Sequence, residues 1–188
     1  MTRRKHNLII VSILLALLLG LLFLLISMPA PDKSISTEET KPTFENIINA
    51  TDRKIVNVAV KNSQESYEIK SESKDDKQVY TLSDQDESKT SQSNSSVLFD
   101  TLINLKPTQI IEGAEDLSTY GLTESNAELT ITFENNEKIM LFLGDDAPLS
   151  KGAYMKISDD SKVYLISQAD KEIFLNEQSF YQENIQVL

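Results

Sequence analysis

The sequence predicts an α+β fold, with an N-terminal transmembrane helix followed by an extracytoplasmic domain of antiparallel β-strands and hairpins with one or two packed helices. Three observations lead to this prediction. An uncharged, leucine-rich stretch begins the chain, short alternating segments follow from Lys54, and one helical pattern interrupts them from Asn94 to Lys106. The 188 residues suffice for one domain of ordinary size and a membrane anchor.

The membrane prediction rests on residues 8–28, which carry no charge and consist mainly of leucine and isoleucine. A helix of this length, at a rise of about 1.5 Å per residue, is roughly 31 Å long and matches the hydrocarbon core of a bilayer. Arg3, Arg4 and Lys5 precede the stretch, with His6 beside them. The positive-inside rule therefore predicts a cytoplasmic tail at 1–7, a single-pass signal anchor at 8–28, and a C-terminal domain outside the cell membrane.

A cleaved signal peptide is the alternative for this segment. Signal peptides have a shorter apolar region, followed by a small-x-small cleavage site. The best candidate site ends at Ala30, with the bulky Met28 two residues earlier and Pro31 directly after it. We therefore expect an uncleaved anchor, and the absence of cysteine excludes a lipoprotein anchor.

The part beyond the basic tail is strongly acidic. The whole chain has a net charge of −11, and removing Arg3, Arg4 and Lys5 (+3) leaves −14 for the remainder. We expect no nucleic-acid partner, because a negative surface is repelled by the phosphate backbone. Without cysteine the outer domain has no disulfides and must be stabilised by an ordinary hydrophobic core.

Residues 29–52 contain three prolines among polar residues and are predicted to form a stalk, with the folded domain at 53–188. A short helix around Phe44–Ile48 is a candidate interruption of this stalk. The next segments alternate between apolar and polar residues, which predicts strands at Ile55–Val60, Tyr67–Lys70 and Val79–Leu82. Residues 83–96 are rich in Ser, Asp and Gln, and we expect an exposed loop there.

The clearest helix of the outer part runs from Asn94 to Lys106. Its apolar residues share one face at helical spacing, namely Leu98, Phe99, Leu102, Ile103 and Leu105. Asn94, Ser95 or Ser96 is expected to cap the start, and Pro107 to end the helix. We expect the apolar face to cover one side of the sheet.

A short strand at Gln109–Glu112 and a helical turn at Glu115–Leu122 follow, and Gly121 is expected to end the turn in a left-handed conformation. Residues 127–143 predict a hairpin. A two-residue loop would place Ile131 opposite Met140. A three-residue loop, Glu134–Asn136, instead pairs Ile131 with Ile139 and Leu129 with Leu141, so we expect the longer loop because it buries one consistent face. It also places Asn136 where a left-handed residue is needed.

The final third predicts a second hairpin, Ala153–Ile157 with Val163–Ile166, joined by a turn near Asp159 and Asp160. Residues 170–184 are weakly amphipathic. The apolar tail Ile185–Leu188 is expected to pair with or pack against another element.

The residue types exclude several classes of catalytic site. The single histidine, His6, belongs to the basic flank of the predicted membrane helix, and the chain has no cysteine. A nucleophile–histidine dyad and a zinc site built from His or Cys are therefore excluded. Gly144-Asp145-Asp146 lacks the further glycines, the lysine and the helix of a nucleotide-binding loop. We predict no catalytic, cofactor-binding or metal-binding residues, no cofactor and no enzymatic activity.

Three aspartate pairs are the remaining candidates for chemistry. Asp84 and Asp86 resemble the start of a calcium-binding loop but lack its glycine and its distal glutamate. The pairs Asp145–Asp146 and Asp159–Asp160 lie where turns favour aspartate. We therefore expect turn roles for them rather than acid–base catalysis.

Two further patterns have both structural and functional interpretations. Tyr154 and Tyr164 are predicted to be neighbours across the second hairpin, either as a recognition surface or as the more common structural pair. Asn49-Ala50-Thr51 and Asn94-Ser95-Ser96 match the glycosylation sequon, which matters only in a eukaryotic secretory pathway.

Several segments, in this order, carry a resemblance to a known family: Val79–Leu82, Val97–Leu105, Asp116–Leu122, Leu141–Asp145, Ala153–Ile157 and Val163–Ile166. The pieces Tyr120-Gly121-Leu122 and Leu143-Gly144-Asp145 are the most telling. Over residues 54–180 the chain resembles the bacterial envelope family called domain of unknown function 4340. It departs from the family in having Tyr80 where tryptophan is usual, and one copy of a unit that many members carry twice.

The resemblance implies an anchored extracytoplasmic domain without known enzymatic activity, often associated with ABC-type transport systems such as those of the gliding-motility auxiliary group. We therefore expect a non-enzymatic accessory or interaction domain at the membrane, with transporter subunits as candidate partners. The alternative is a glycan- or ligand-binding envelope protein or a carboxylate-dependent envelope enzyme. An inhibitory domain similar to protease propeptides is a third interpretation, and the sequence does not determine the oligomeric state.

Overall fold

The computed structural model describes residues 43–50, 53–83 and 85–183. The predicted cytoplasmic tail, the transmembrane helix, most of the predicted stalk and the apolar tail 185–188 lie outside these residues. Within the described ranges, no helix is both long enough and apolar enough to cross a membrane.

The described residues form an eight-stranded antiparallel sheet in the order β3-β2-β1-β5-β6-β7-β8-β4, together with two α-helices. This confirms the predicted α+β architecture of antiparallel hairpins with packed helices. The strands are β1 (Ile55–Asn62), β2 (Ser66–Lys74), β3 (Lys77–Leu82), β4 (Gln109–Ile111), β5 (Ala127–Phe133), β6 (Lys138–Asp146), β7 (Ala153–Ile157) and β8 (Val163–Ile166). The helices are α1 (Gln92–Ile103) and α2 (Gln168–Phe174), with 3-10 helices at Glu87–Lys89, Leu117–Tyr120, Pro148–Ser150 and Gln178–Tyr181.

One face of the sheet, called the inner face here, is buried beneath the helices. Alternate strand residues point to this face because successive side chains of a strand lie on opposite sides. The core includes Val58, Ile69, Leu129 and Ile131 from the strands, and Leu98, Phe99 and Leu102 from α1. Burying each such side chain contributes about 1.5–3 kcal/mol of transfer free energy, and α1 supplies three of them.

The predicted hairpins are confirmed. Ile131 pairs with Ile139 and Leu129 with Leu141, so the loop has three residues. Asn136 has a φ of 65°, the left-handed conformation expected at the end of this loop. The second hairpin, β7 and β8, has the predicted boundaries.

The segment predicted as an exposed loop, 83–96, is partly buried. The prediction was wrong because its polar side chains hydrogen-bond to the edge strand β3. The Oγ1 atom of Thr90 accepts a bond from the amide of Leu82 at 3.0 Å. The side-chain amide of Gln92 bonds to both backbone groups of Tyr80, at 2.9 and 2.8 Å. α1 accordingly begins at Gln92, with Ser91 at the N-cap, and ends at Ile103, before the predicted Lys106.

The compact unit begins at Phe44, earlier than the predicted boundary at 53. The side chain of Ile48 is fully buried in the core. The amide of Ile47 donates to the carbonyl of Leu105 at 2.7 Å, and the predicted short helix is replaced by a bend. Polar and proline-rich composition suggested a stalk here, but the two adjacent isoleucines supply enough apolar surface to dock the segment on the domain.

Candidate functional site

The two most telling sequence pieces meet on the outer face of the sheet. Residues 112–126 connect β4 to β5 and include the 3-10 helix Leu117–Tyr120, which ends at Gly121 with a φ of 66°. This segment lies against the end of β6 so closely that a Cβ on Gly144 would overlap the carbonyl oxygen of Tyr120. A Cβ on Gly121 would likewise overlap the carboxylate of Asp145. At Gly144 glycine is therefore a packing requirement, because the neighbouring atom belongs to the backbone. At Gly121 the left-handed φ favours glycine, since the exposed side chain of Asp145 can move aside.

The outer position of this contact follows from the pleat of β6. Leu143 belongs to the core, and Gly144 is the next residue along the strand, so Gly144 faces the opposite side. A β-bulge between Leu143 and Asp146 then interrupts the alternation, and Asp145 also lies against residues 112–126. Leu122, Val163 and Leu165 are also buried but stand outside the core cluster. Val163 and Leu165 alternate with the core residues Tyr164 and Ile166 and therefore lie on the outer face, and Leu122 lies next to Gly144.

Hydrogen bonds hold the connection formed by residues 112–126 at two points, Asp116 and Asn126. Asp116 accepts bonds from the hydroxyl of Ser118 at 2.6 Å and from its amide at 3.0 Å. The hydroxyl and then the amide of Ser118 hold the pKa of Asp116 below its usual value. At the other end, the side chain of Asn126 donates to the carbonyl of Gly144 at 2.8 Å. The predicted helical turn ending at Gly121 is thus confirmed as a capped 3-10 helix.

The exposed part of this contact is called the junction surface here and consists of Tyr120, Asp145 and Tyr154. The two tyrosine rings pack edge to face with centroids 4.9 Å apart. The carboxylate of Asp145 is exposed and makes no hydrogen bond or ion pair with any described residue. The surface therefore combines aromatic rings with a free carboxylate, which suits hydrogen-bonding or cationic partners.

The predicted proximity of Tyr154 and Tyr164 was wrong. Tyr154 lies opposite Leu165, and Tyr164 lies opposite Met155, so the two tyrosines project from opposite faces of the hairpin. Tyr164 is buried, and its hydroxyl donates to the carboxylate of Asp160. Burial is the main cause of the raised pKa of Tyr164. The sequence gives the alternation of each strand, but not the cross-strand offset that decides which tyrosines meet.

The aspartates of the three sequence pairs do not act as pairs, and those with a partner contact different residues. Asp160 accepts hydrogen bonds from Tyr164 and from the amide of Lys162 at 3.0 Å, and the bond from Tyr164 is the main cause of its lowered pKa. Asp146 forms an ion pair with Lys171 of α2. Asp159 is exposed in the turn, and Asp84 lies outside the described residues. No group of three or more His, Cys, Asp or Glu residues within the described ranges is arranged to hold a metal ion.

Asn94 of the second sequon is part of α1, and its side-chain amide donates to the carbonyl of Phe180 at 2.7 Å. Its neighbour Ser95 is fully buried. This sequon is therefore packed within the fold. Thr51 of the first sequon lies outside the described residues.

Sequence reasoning missed a groove beside the second half of α1. Its lining comes from segments far apart in the chain, including Ala50, Ile55, Tyr80, Ile103 and Glu134. No local pattern marks such a set, because each residue has an ordinary role within its own segment. The sequence placed Ile103 on the apolar face of the helix, and only the structure shows that its side chain is exposed.

A family model described as a domain of unknown function (DUF4340) matches residues 91–185. The match starts at the N-cap of α1 and includes β4–β8 and both pieces of the junction, whereas β1–β3 precede it. No curated protein and no solved structure matches the chain. The matched span covers the segments that carried the resemblance from α1 onward, and the chain belongs to the DUF4340 family.

Proposed function

We propose that this protein is a non-enzymatic accessory domain, tethered to the cell membrane, that acts outside the cytoplasm by binding another protein. The observation that carries this proposal is the placement of the aspartates. Asp116 caps a turn, Asp146 pairs with Lys171, and Asp160 binds Tyr164. These carboxylates have structural partners in separate places, whereas acid–base catalysis needs groups that converge on one reacting atom.

The membrane tether is supported by the sequence alone, through the uncharged stretch 8–28 and the basic residues before it. The transporter connection is supported only by the family resemblance. Subunits of an ABC-type transport system are therefore the candidate partners, and the N-terminus is proposed to be cytoplasmic.

Crosslinking of the full-length protein in native membranes, followed by purification and mass spectrometry, tests this proposal. We expect permease and ATPase subunits to be recovered, and to be lost when residues 44–188 are deleted and the anchor is kept. Complete restoration of function in a deletion strain by an outer domain that is not attached to the membrane would contradict the proposal, because a tether would then be unnecessary.

The junction surface favours one alternative, a glycan- or ligand-binding role. Aromatic rings beside a free carboxylate can stack on and hydrogen-bond to a sugar. Sedimentation of the protein with purified cell-wall glycan tests this alternative, with Asp145→Asn and Tyr154→Ala as variants. Loss of glycan binding in both, with thermal unfolding unchanged, would support it. An Asp145→Asn/Asp146→Asn variant that loses a hydrolytic activity without unfolding would instead indicate an enzyme.

A further inference from the structure

Two adjoining cavities lie beside the second half of α1. The first has a volume of about 550 Å³, and Phe99, Asp100 and Ile103 of α1 line it together with Glu134 of the β5–β6 loop. The second has a volume of about 460 Å³ and lies between α1 and residues 45–50. Ala50 and Ile103 line both cavities, which are therefore adjacent and are together called the α1 groove here.

The wall of the groove is held in place by hydrogen bonds. The side-chain amide of Asn46 donates to the carbonyl of Ile103 at 2.8 Å. Arg53 donates to the carbonyl of Asn49 at 2.9 Å and to Glu137 at 2.6 Å, and its guanidinium lies 4.3 Å from the centre of the Phe133 ring. Asn46 is thus attached to α1, and Arg53 is attached to both Asn49 and the β5–β6 hairpin, so these walls of the groove are preformed.

The floor of the groove is apolar. Ile103 is 37% exposed and stands where the two cavities meet. Beside it, the rings of Tyr80 and Phe99 pack with centroids 4.9 Å apart and form a rigid wall. An apolar side chain inserted against Ile103 would cover hydrophobic surface that water now contacts.

The rim of the groove is acidic. Glu45, Asp100 and Glu134 are exposed, and none of them forms an ion pair with a described residue. Of the two cations at the groove, Arg53 is paired with Glu137, and the ammonium of Lys54 bonds only to the hydroxyl of Ser73. The groove therefore has three unpaired carboxylates and one unpaired ammonium among its described residues, and its rim has a net negative charge.

We propose that the α1 groove binds an extended peptide segment of a partner protein, in which a leucine or an aromatic residue is flanked by lysine or arginine. The apolar residue fits the floor at Ile103, and the flanking cations face the three carboxylates. Complementary charge at a rim selects the partner and speeds association, while the buried apolar anchor supplies most of the affinity. This assignment rests on the proposed interaction role, but it does not require the partner to be a transporter.

Fluorescence polarisation with short labelled peptides tests the assignment. The full-length protein is placed in phosphatidylcholine nanodiscs and titrated with lysine-flanked leucine and phenylalanine peptides, and with matched glutamate-flanked peptides. We expect binding of the lysine-flanked peptides only, weakening as salt is raised because exposed charges are screened. Empty nanodiscs measure binding to lipid.

Two triple variants separate the groove from overall charge. Glu45→Gln/Asp100→Asn/Glu134→Gln removes the acidic rim and is expected to weaken peptide binding about tenfold. Glu115→Gln/Glu124→Gln/Glu172→Gln changes the net charge equally at exposed carboxylates outside the groove, and it should keep the parental affinity. Ile103→Ser removes the floor and should also weaken binding, and thermal unfolding by circular dichroism checks that each variant is folded.

Equal weakening by both triple variants would overturn the assignment, since overall charge would then explain binding. Binding of the glutamate-flanked peptides, or no binding of any lysine-flanked peptide, would also overturn it. The membrane crosslinking experiment distinguishes this failure from failure of the proposed function. If transporter subunits crosslink equally well to the parent and to the rim variant while no peptide binds, the groove assignment is wrong and the accessory role stands.

Discussion

The two faces of the sheet are covered by different physical means. On the inner face, α1, α2 and residues 44–50 supply apolar side chains that fill the space above the strands. On the outer face, residues 112–126 approach β6 until backbone meets backbone at Gly144. The inner cover depends on hydrophobic volume, which many sequences can supply. The packing of residues 112–126 on the outer face depends on the absence of a side chain at Gly144. This explains why the sequence pieces that carry the family resemblance most strongly contain glycine.

Leu102→Asp should have the largest effect, because it breaks the inner cover. Leu102 is fully buried, and an aspartate there loses the transfer free energy of the leucine and buries an unpaired charge. We expect a loss of more than about 5 kcal/mol, enough to unfold a typical domain. Circular dichroism measures the loss of folded structure. A variant that melts like the parent would show that α1 does not cover the core, and Leu102→Ala should cost about 3 kcal/mol.

Gly144→Ala tests the outer cover. Its φ is not positive, so an alanine costs no backbone strain there, and the expected loss of about 3 kcal/mol comes from overlap with the carbonyl of Tyr120. Gly113→Ala is the matched control, because Gly113 has a φ of 67° and no atom within 4 Å of an added Cβ. It should cost about 1 kcal/mol through strain alone. Urea unfolding measures both variants, and equal losses would show that the close contact at Gly144 is unimportant.

Alkaline pH probes the attachment of the C-terminal segment to the inner face. Tyr181 is fully buried, its hydroxyl lies 3.2 Å from the carbonyl of Ile173, and burial raises its pKa to about 12. Because the unfolded chain ionises at a pKa of about 10, stability is fully present below that pH and is lost as pH rises towards 12. Tyr181→Phe should cost about 1 kcal/mol at neutral pH and reduce this alkaline loss. An unchanged alkaline slope in the variant would contradict the assignment.

Ser95→Ala should have the smallest effect and the opposite sign. The hydroxyl of Ser95 is buried on the inner side of α1 and has no hydrogen-bond partner among the described residues. Removing it should raise stability by about 0.5 kcal/mol, since alanine also favours a helix. Ser93→Ala is the comparison at an exposed position of the same helix, where the hydroxyl has a partner, the hydroxyl of Ser91 at 3.3 Å. A loss of stability in Ser95→Ala would show that the hydroxyl has a partner, such as a buried water.

The hairpins were predictable because their information is local. In β5 one residue in two is apolar, and the three-residue loop pairs these residues with Ile139, Leu141 and Leu143 of β6. The turn at Gly121 was predictable for a similar reason. Asp116, which caps its start, and Gly121, which ends it in a left-handed conformation, lie close together in the chain. Each of these structures forms between residues close together in the chain.

The errors concern contacts between distant segments. Ile47 and Ile48 looked like part of a stalk, because the strands and helix that bury them lie far along the sequence. Thr90 and Gln92 looked exposed, but they supply hydrogen bonds to the otherwise open edge of β3. Polar composition alone does not distinguish a solvated side chain from one that satisfies a buried backbone group.

The sequence by itself determined the antiparallel hairpins, the apolar face of α1, the left-handed turn at Gly121 and the acidic character of the chain beyond Lys5. These features follow from periodicity, turn chemistry and charge, which neighbouring residues encode. Only the tertiary structure decided that β1 lies between β2 and β5, that the two glycine-containing pieces touch, and that an acidic groove lies beside α1. Such contacts depend on which distant surfaces pack with the lowest total free energy, and no single segment carries that information.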